Sequence, residues 1–105
     1  MITLSEETTD LITVLFSDTN QQEIKDTLVD CCDYLTSSGL KEDMDRICFA
    51  ILKLSVTRKK GRINRFHKAI DLARLDYRDL LVDAGFGNDV KIHEKWADRI
   101  LNLET

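Results

Sequence analysis

The chain has 105 residues, 43% of them apolar and 32% charged, with a formal net charge of −4 at pH 7. That balance suits one soluble globular domain covering residues 1–105; it leaves no room for a second domain and does not favour disorder. No apolar run reaches the length of a bilayer span, and the start, Met1-Ile-Thr-Leu-Ser-Glu-Glu, is acidic where a secretory leader would be basic and then apolar, so a cytoplasmic protein with no membrane partner is expected.

Zero prolines and four glycines leave few breaks, and nothing alternates with a period of two, so the spacing predicts an all-α bundle of five to six short helices. Ser5 can cap a first helix carrying Leu11, Ile12, Leu15 and Phe16 on one face, ending near Ser17. Asn20 and Glu23 have capping-box spacing for a second helix, with Ile24, Leu28, Cys31, Cys32 and Leu35 inward, until Gly39 ends it. A third helix, from Lys41 or Asp43 to Val56, is apolar nearly all round and is expected to be the most buried. A fourth runs from about Arg62 to Leu75. The apolar series would let it continue, but Asp76 as a cap and Leu75 placed to staple against Leu80 predict a break and a fifth helix from Tyr77 to Gly85. The last helix is expected from near Asp89, carrying Val90, His93, Trp96, Ala97, Ile100 and Leu101.

Laid over itself at an offset of 46, the chain places Leu35, Gly39, Leu40 and Asp43 on Leu81, Gly85, Phe86 and Asp89. Each half reads helix, glycine, apolar residue, aspartate, helix, which predicts two similar helical hairpins packed together.

Charge is divided along the chain. Residues 1–50 hold eleven acids and three basic residues, residues 51–105 eight acids and twelve basic residues. Arg58, Lys59, Lys60, Arg62, Arg65 and Lys68 fall in one acid-free stretch around Gly61, read as a flexible loop of cations running into a helix. Such a stretch can bind phosphates or dock an acidic partner, although stacking aromatics are not interleaved with it. Asp26, Asp30 and Asp33 offer an acidic partner face on the second helix, and Tyr77 or Trp96 an aromatic anchor, although the core is the first expectation for Trp96.

Catalytic signals are weak. The Gly85 connection lacks the apolar residues at Asn88 and Lys91 that would seat a DNA-recognition helix. His67, His93 and the three cysteines have no metal-ligand spacing, so no metal or other cofactor is expected; the histidines are placed to pair with Asp71 and Asp89, and the thiols to lie reduced in the core. Asp30-x-x-Asp33 and Glu42-x-x-Asp45 allow a magnesium-dependent all-α nucleotide pyrophosphatase only with aspartates where glutamates are expected. Phosphate-binding glycine loops and hydrolase elbows are lacking. The expectation is therefore a protein–protein interaction or regulatory module without catalytic activity, with self-association allowed by its two charges, and a nucleic-acid or other polyanion binder using 58–68 as the alternative.

Overall fold

The chain enters its first helix where Ser5 caps it: the Ser5 hydroxyl accepts from the Thr8 amide at 3.1 Å, and Glu6 and Glu7 fill the first turn. This computed structural model describes residues 3–87, 89 and 91–103; Asn88 and Val90, which entered the sequence reading, lie outside them. Helix α1 (Glu6–Leu15) stops at Phe16, and α2 (Asp18–Ser37) follows at once with Ser17 as its cap residue. The second helix thus begins before Asn20, whose amide donates to the Ser17 carbonyl within the first turn. Gln21 explains the earlier start, because its side-chain amide takes the Phe16 carbonyl at 3.0 Å and closes the corner. Glu23, freed from capping, pairs with His67 instead.

Helix α2 ends in a Schellman turn: Leu40 N–H donates to Leu35 O, Gly39 N–H to Thr36 O, and Gly39 takes φ +94°. Helix α3 (Met44–Ser55) is capped by Asp43, which accepts from the Asp45 amide at 3.0 Å. Residues 46–52 of α3 are all buried, as expected of the central helix. A two-residue ladder follows, β1 (Val56–Thr57) against β2 (Lys60–Gly61), antiparallel with Val56 opposite Gly61. The chain then runs through α4 (Ile63–Leu75), α5 (Tyr77–Asp83) and α6 (Ile92–Leu103).

The break at Asp76 is present, and Asp76 caps α5 by accepting from the Arg78 amide at 3.0 Å. The staple is not: Leu80 is buried, while Leu75 is 84% exposed. The cap alone ends α4, and the leucine expected to cover the joint stays in solvent. Helix α5 repeats the Schellman turn, with Phe86 N–H on Leu81 O, Gly85 N–H on Val82 O and Gly85 at φ +81°. The two halves are alike at these connections, but α2 runs unbroken for 20 residues where the matching stretch is divided into α4 and α5. Helix α6 starts at Ile92 rather than beside Asp89, whose carboxylate takes the Lys91 amide in a turn ahead of it.

One apolar cluster joins all six helices among the described residues, with Phe49, Phe66 and Phe86 its largest wholly buried members. Each such side chain contributes roughly 2–3 kcal/mol through apolar burial. Two cations on α3 tie the end of α5 to this core. Lys53 donates to the Ala84 carbonyl at 2.7 Å and sits 5.0 Å from the Phe86 ring centre; Arg46 donates to the Phe86 carbonyl and pairs with Glu42 at 3.0 Å. The three cysteines are free and buried, with Cys32 and Cys48 in sulfur–sulfur contact at 3.5 Å. No helix among the described residues is long and apolar enough to cross a membrane.

Candidate functional site

The basic segment is a tight hairpin rather than a flexible loop. Arg58 and Lys59 form its two-residue tip with φ of +54° and +69°, the pair of left-handed conformations that a type I′ turn requires. Glycine and asparagine normally supply that geometry; a long side chain there costs about 1 kcal/mol per residue. Gly61 occupies the position where the ladder meets the core, since a Cβ there would lie 2.5 Å from the Phe16 ring. The strain therefore falls on the two cations, which stand exposed at the tip. Lys60, Arg62 and Lys68 are exposed as well, and among the described residues none of these five side chains has a hydrogen bond or ion pair. Arg65 is different: its Nε donates to the Leu54 carbonyl at 3.3 Å. Arg65 and Lys68 also rim a cavity of about 220 Å³ floored by Leu54, Ala69 and Leu72. Sequence reasoning grouped these six residues, and the structure divides them into an exposed tip and a helix-borne rim.

The aromatic anchors fare unequally. Trp96 is 8% exposed and packs against Phe49 and Phe86 at ring separations of 6.3 and 6.2 Å, so it belongs to the core and offers no surface anchor. The apolar face of α6 points inward, and Trp96 is its centre. Tyr77 is half-buried and lines a groove of about 390 Å³ with Tyr34, Leu75, Arg74 and Arg78, between the end of α2 and the α4–α5 joint. Tyr34 is 46% exposed and holds the Arg74 guanidinium 5.2 Å from its ring centre. Tyr34 and Leu75 were not foreseen. The signal for Tyr34 was its place off the apolar stripe of α2, whereas Leu75 was hidden by a staple that does not form.

On α2, Asp26 and Asp30 are exposed and one turn apart, with Asp26 accepting from Gln22 at 2.9 Å; Asp33 is half-buried and engaged, which narrows the acidic face expected there. The histidines do not take their expected partners. His67 Nε2 lies 2.8 Å from Glu23 Oε2, joining α4 to α2, and His93 Nε2 lies 3.7 Å from Asp43 Oδ2. In both cases the fold brings a carboxylate from another helix nearer than the aspartate one turn away. Glu42 is held by Arg46, and Asp45 accepts from the Thr8 hydroxyl at 3.5 Å. No three His, Cys, Asp or Glu side chains among the described residues converge as a metal-holding group.

Burial and the neighbouring Cys32 push the Cys31 thiol up to about 11. The hydrogen bond to Cys32 and then burial raise the Cys48 thiol well above its ordinary value. All three thiols are buried and fill space in the core, and the hydrogen bond with Cys48 holds the Cys32 thiol below its ordinary value.

No family model matches this chain, and neither does any curated protein or solved structure.

Proposed function

We propose that the chain is a non-catalytic binding module that engages a protein partner through the groove between α2 and the α4–α5 joint. The observation that carries this reading is Leu75, a leucine 84% exposed beside Tyr34 and Tyr77 and flanked by Arg74 and Arg78. Covering one leucine contributes roughly 1.5–3 kcal/mol, and tyrosine and arginine are the residue types that concentrate binding energy at interfaces. The two arginines favour a partner whose apolar anchor is followed by carboxylates.

A second reading rests on the strained basic tip. Cations held in left-handed backbone, where Asn-Gly would cost less, motivate a polyanion-binding role for Arg58, Lys59, Lys60 and Arg62. One experiment separates the two. A photo-crosslinking amino acid is placed at Tyr34, at Leu75 or at Lys59 of the chain expressed in its own cells. The interaction reading expects a discrete protein adduct from positions 34 and 75 that is lost with Arg74→Glu; a nuclease-sensitive adduct from 59 alone selects the polyanion. Absence of an adduct from 34 and 75 removes the groove as the binding face.

A further inference from the structure

Three helices begin around one cavity. Glu7 lies in the first turn of α1, Asp43 and Asp45 at the start of α3, and Glu94 in the first turn of α6; with Asp98, one turn further along α6, they line a space of about 320 Å³ floored by Phe49 and His93. Helix N-termini attract acids, which accounts for part of the set. The amounts do not balance, however: each terminus supplies roughly half a positive charge, against five carboxylates. No lysine or arginine lines the cavity, and the carboxylates of Glu7, Glu94 and Asp98 have no partner among the described residues.

His93 is the second, independent observation. It is 2% exposed, yet among the described residues its buried Nδ1 has no hydrogen-bond partner, and its Nε2 stands 3.7 Å from Asp43 Oδ2, beyond hydrogen-bond reach. Its ring packs on Phe49 and Phe86, at 5.5 and 6.2 Å between centres. His93 is thus a buried imidazole with an unsatisfied Nδ1, and it lines a cavity ringed by carboxylates of which those of Glu7, Asp43, Glu94 and Asp98 are open to solvent.

We infer that this cavity takes an organic cation, a guanidinium or ammonium group, which the carboxylates of Glu7, Asp43, Asp45, Glu94 and Asp98 surround above the Phe49 ring. The carboxylates ring a space instead of converging on a point, which suits a cation of several atoms and not a bare metal ion. Aromatic carbon beneath the cation adds to the attraction.

The test follows the His93 imidazole by NMR during titration with methylguanidinium and with 1,4-diaminobutane at constant ionic strength, with 1,4-butanediol as the uncharged control. Saturable shifts are expected with both cations at millimolar concentration and none with the diol. Asp43→Asn, which keeps the helix cap, and Asp98→Asn should each weaken binding about tenfold. The cation's source is read from dilution. If the His93 signal of the wild-type chain changes with protein concentration and that change is lost in Arg58→Glu/Lys59→Glu, the hairpin of a second copy supplies the cation; if it is concentration-independent, the ligand is a separate molecule. No saturable shift with either cation, or an equal response to the diol, overturns the inference.

Discussion

At the scale of single residues, two positions carry the sharpest expectations. Asp76 ends one helix and starts the next with one carboxylate, without the apolar staple that usually shares the task. Asp76→Ala should then cost the full value of a cap, about 1 kcal/mol, whereas Leu75→Glu should leave the urea midpoint nearly unchanged because the leucine touches little. A large loss with Leu75→Glu would mean that the leucine is covered in solution. Cys31 gives a pH signature. Its thiol has a value near 9 when unfolded and about 11 when folded, so the folded state holds its proton longer. The associated stability is complete below pH 9 and declines as pH climbs toward 11. Urea unfolding of the wild-type chain should weaken over that interval more steeply than that of Cys31→Val; equal slopes would show that the thiol titrates alike in both states.

At the scale of elements, the hairpin of β1 and β2 trades stability for charge. Replacing Arg58-Lys59 by Asn-Gly relieves two left-handed long side chains and should stabilise the fold by about 1–2 kcal/mol in chemical denaturation. If the tip binds, the same change weakens binding, a divergence that a purely structural turn does not produce. Gly61→Ala acts the other way, because its Cβ collides with Phe16 in the core and the overpacking should cost about 1–3 kcal/mol. What was legible in the sequence follows the same division. The Asp76 break and the turns at Gly39 and Gly85 were readable because cap, glycine and helix lie within a few residues of one another. The hairpin was not, since Arg-Lys stands where a turn signal would be, and its ladder is only two residues long on each strand. The acidic cavity was invisible for a different reason. Its members come from residues 7, 43–45 and 93–98, and each looked locally like an ordinary first-turn acid or core histidine.

At the scale of the molecule, the uneven charge of the two chain halves becomes an arrangement along α3. The acidic cavity gathers at the N-terminal end of that helix and the basic hairpin leaves its C-terminal end, about 18 Å away for 12 residues. Both placements complement the dipole of the central, most buried helix, so the charge separation supports the fold as well as any ligand. The distance also sets how the two ends influence each other. It exceeds the Debye length of about 10 Å at 0.1 M salt but falls inside the length of about 30 Å at 0.01 M. If the basic tip binds duplex DNA through the four unpaired cations Arg58, Lys59, Lys60 and Arg62, the logarithm of affinity should fall with the logarithm of salt at a slope near −3.6, or roughly 150-fold between 50 and 200 mM. Below about 20 mM the acidic end comes into electrical reach of the bound phosphates and should flatten that line. Asp43→Asn/Asp98→Asn, at the far end of α3, should restore the slope at low salt without changing it at 0.1 M and above. Fluorescence anisotropy over that salt range measures both effects. A slope near zero would remove the hairpin as a phosphate-binding element, and a change in slope at high salt from the remote substitutions would show that the two ends communicate through structure instead of through the field.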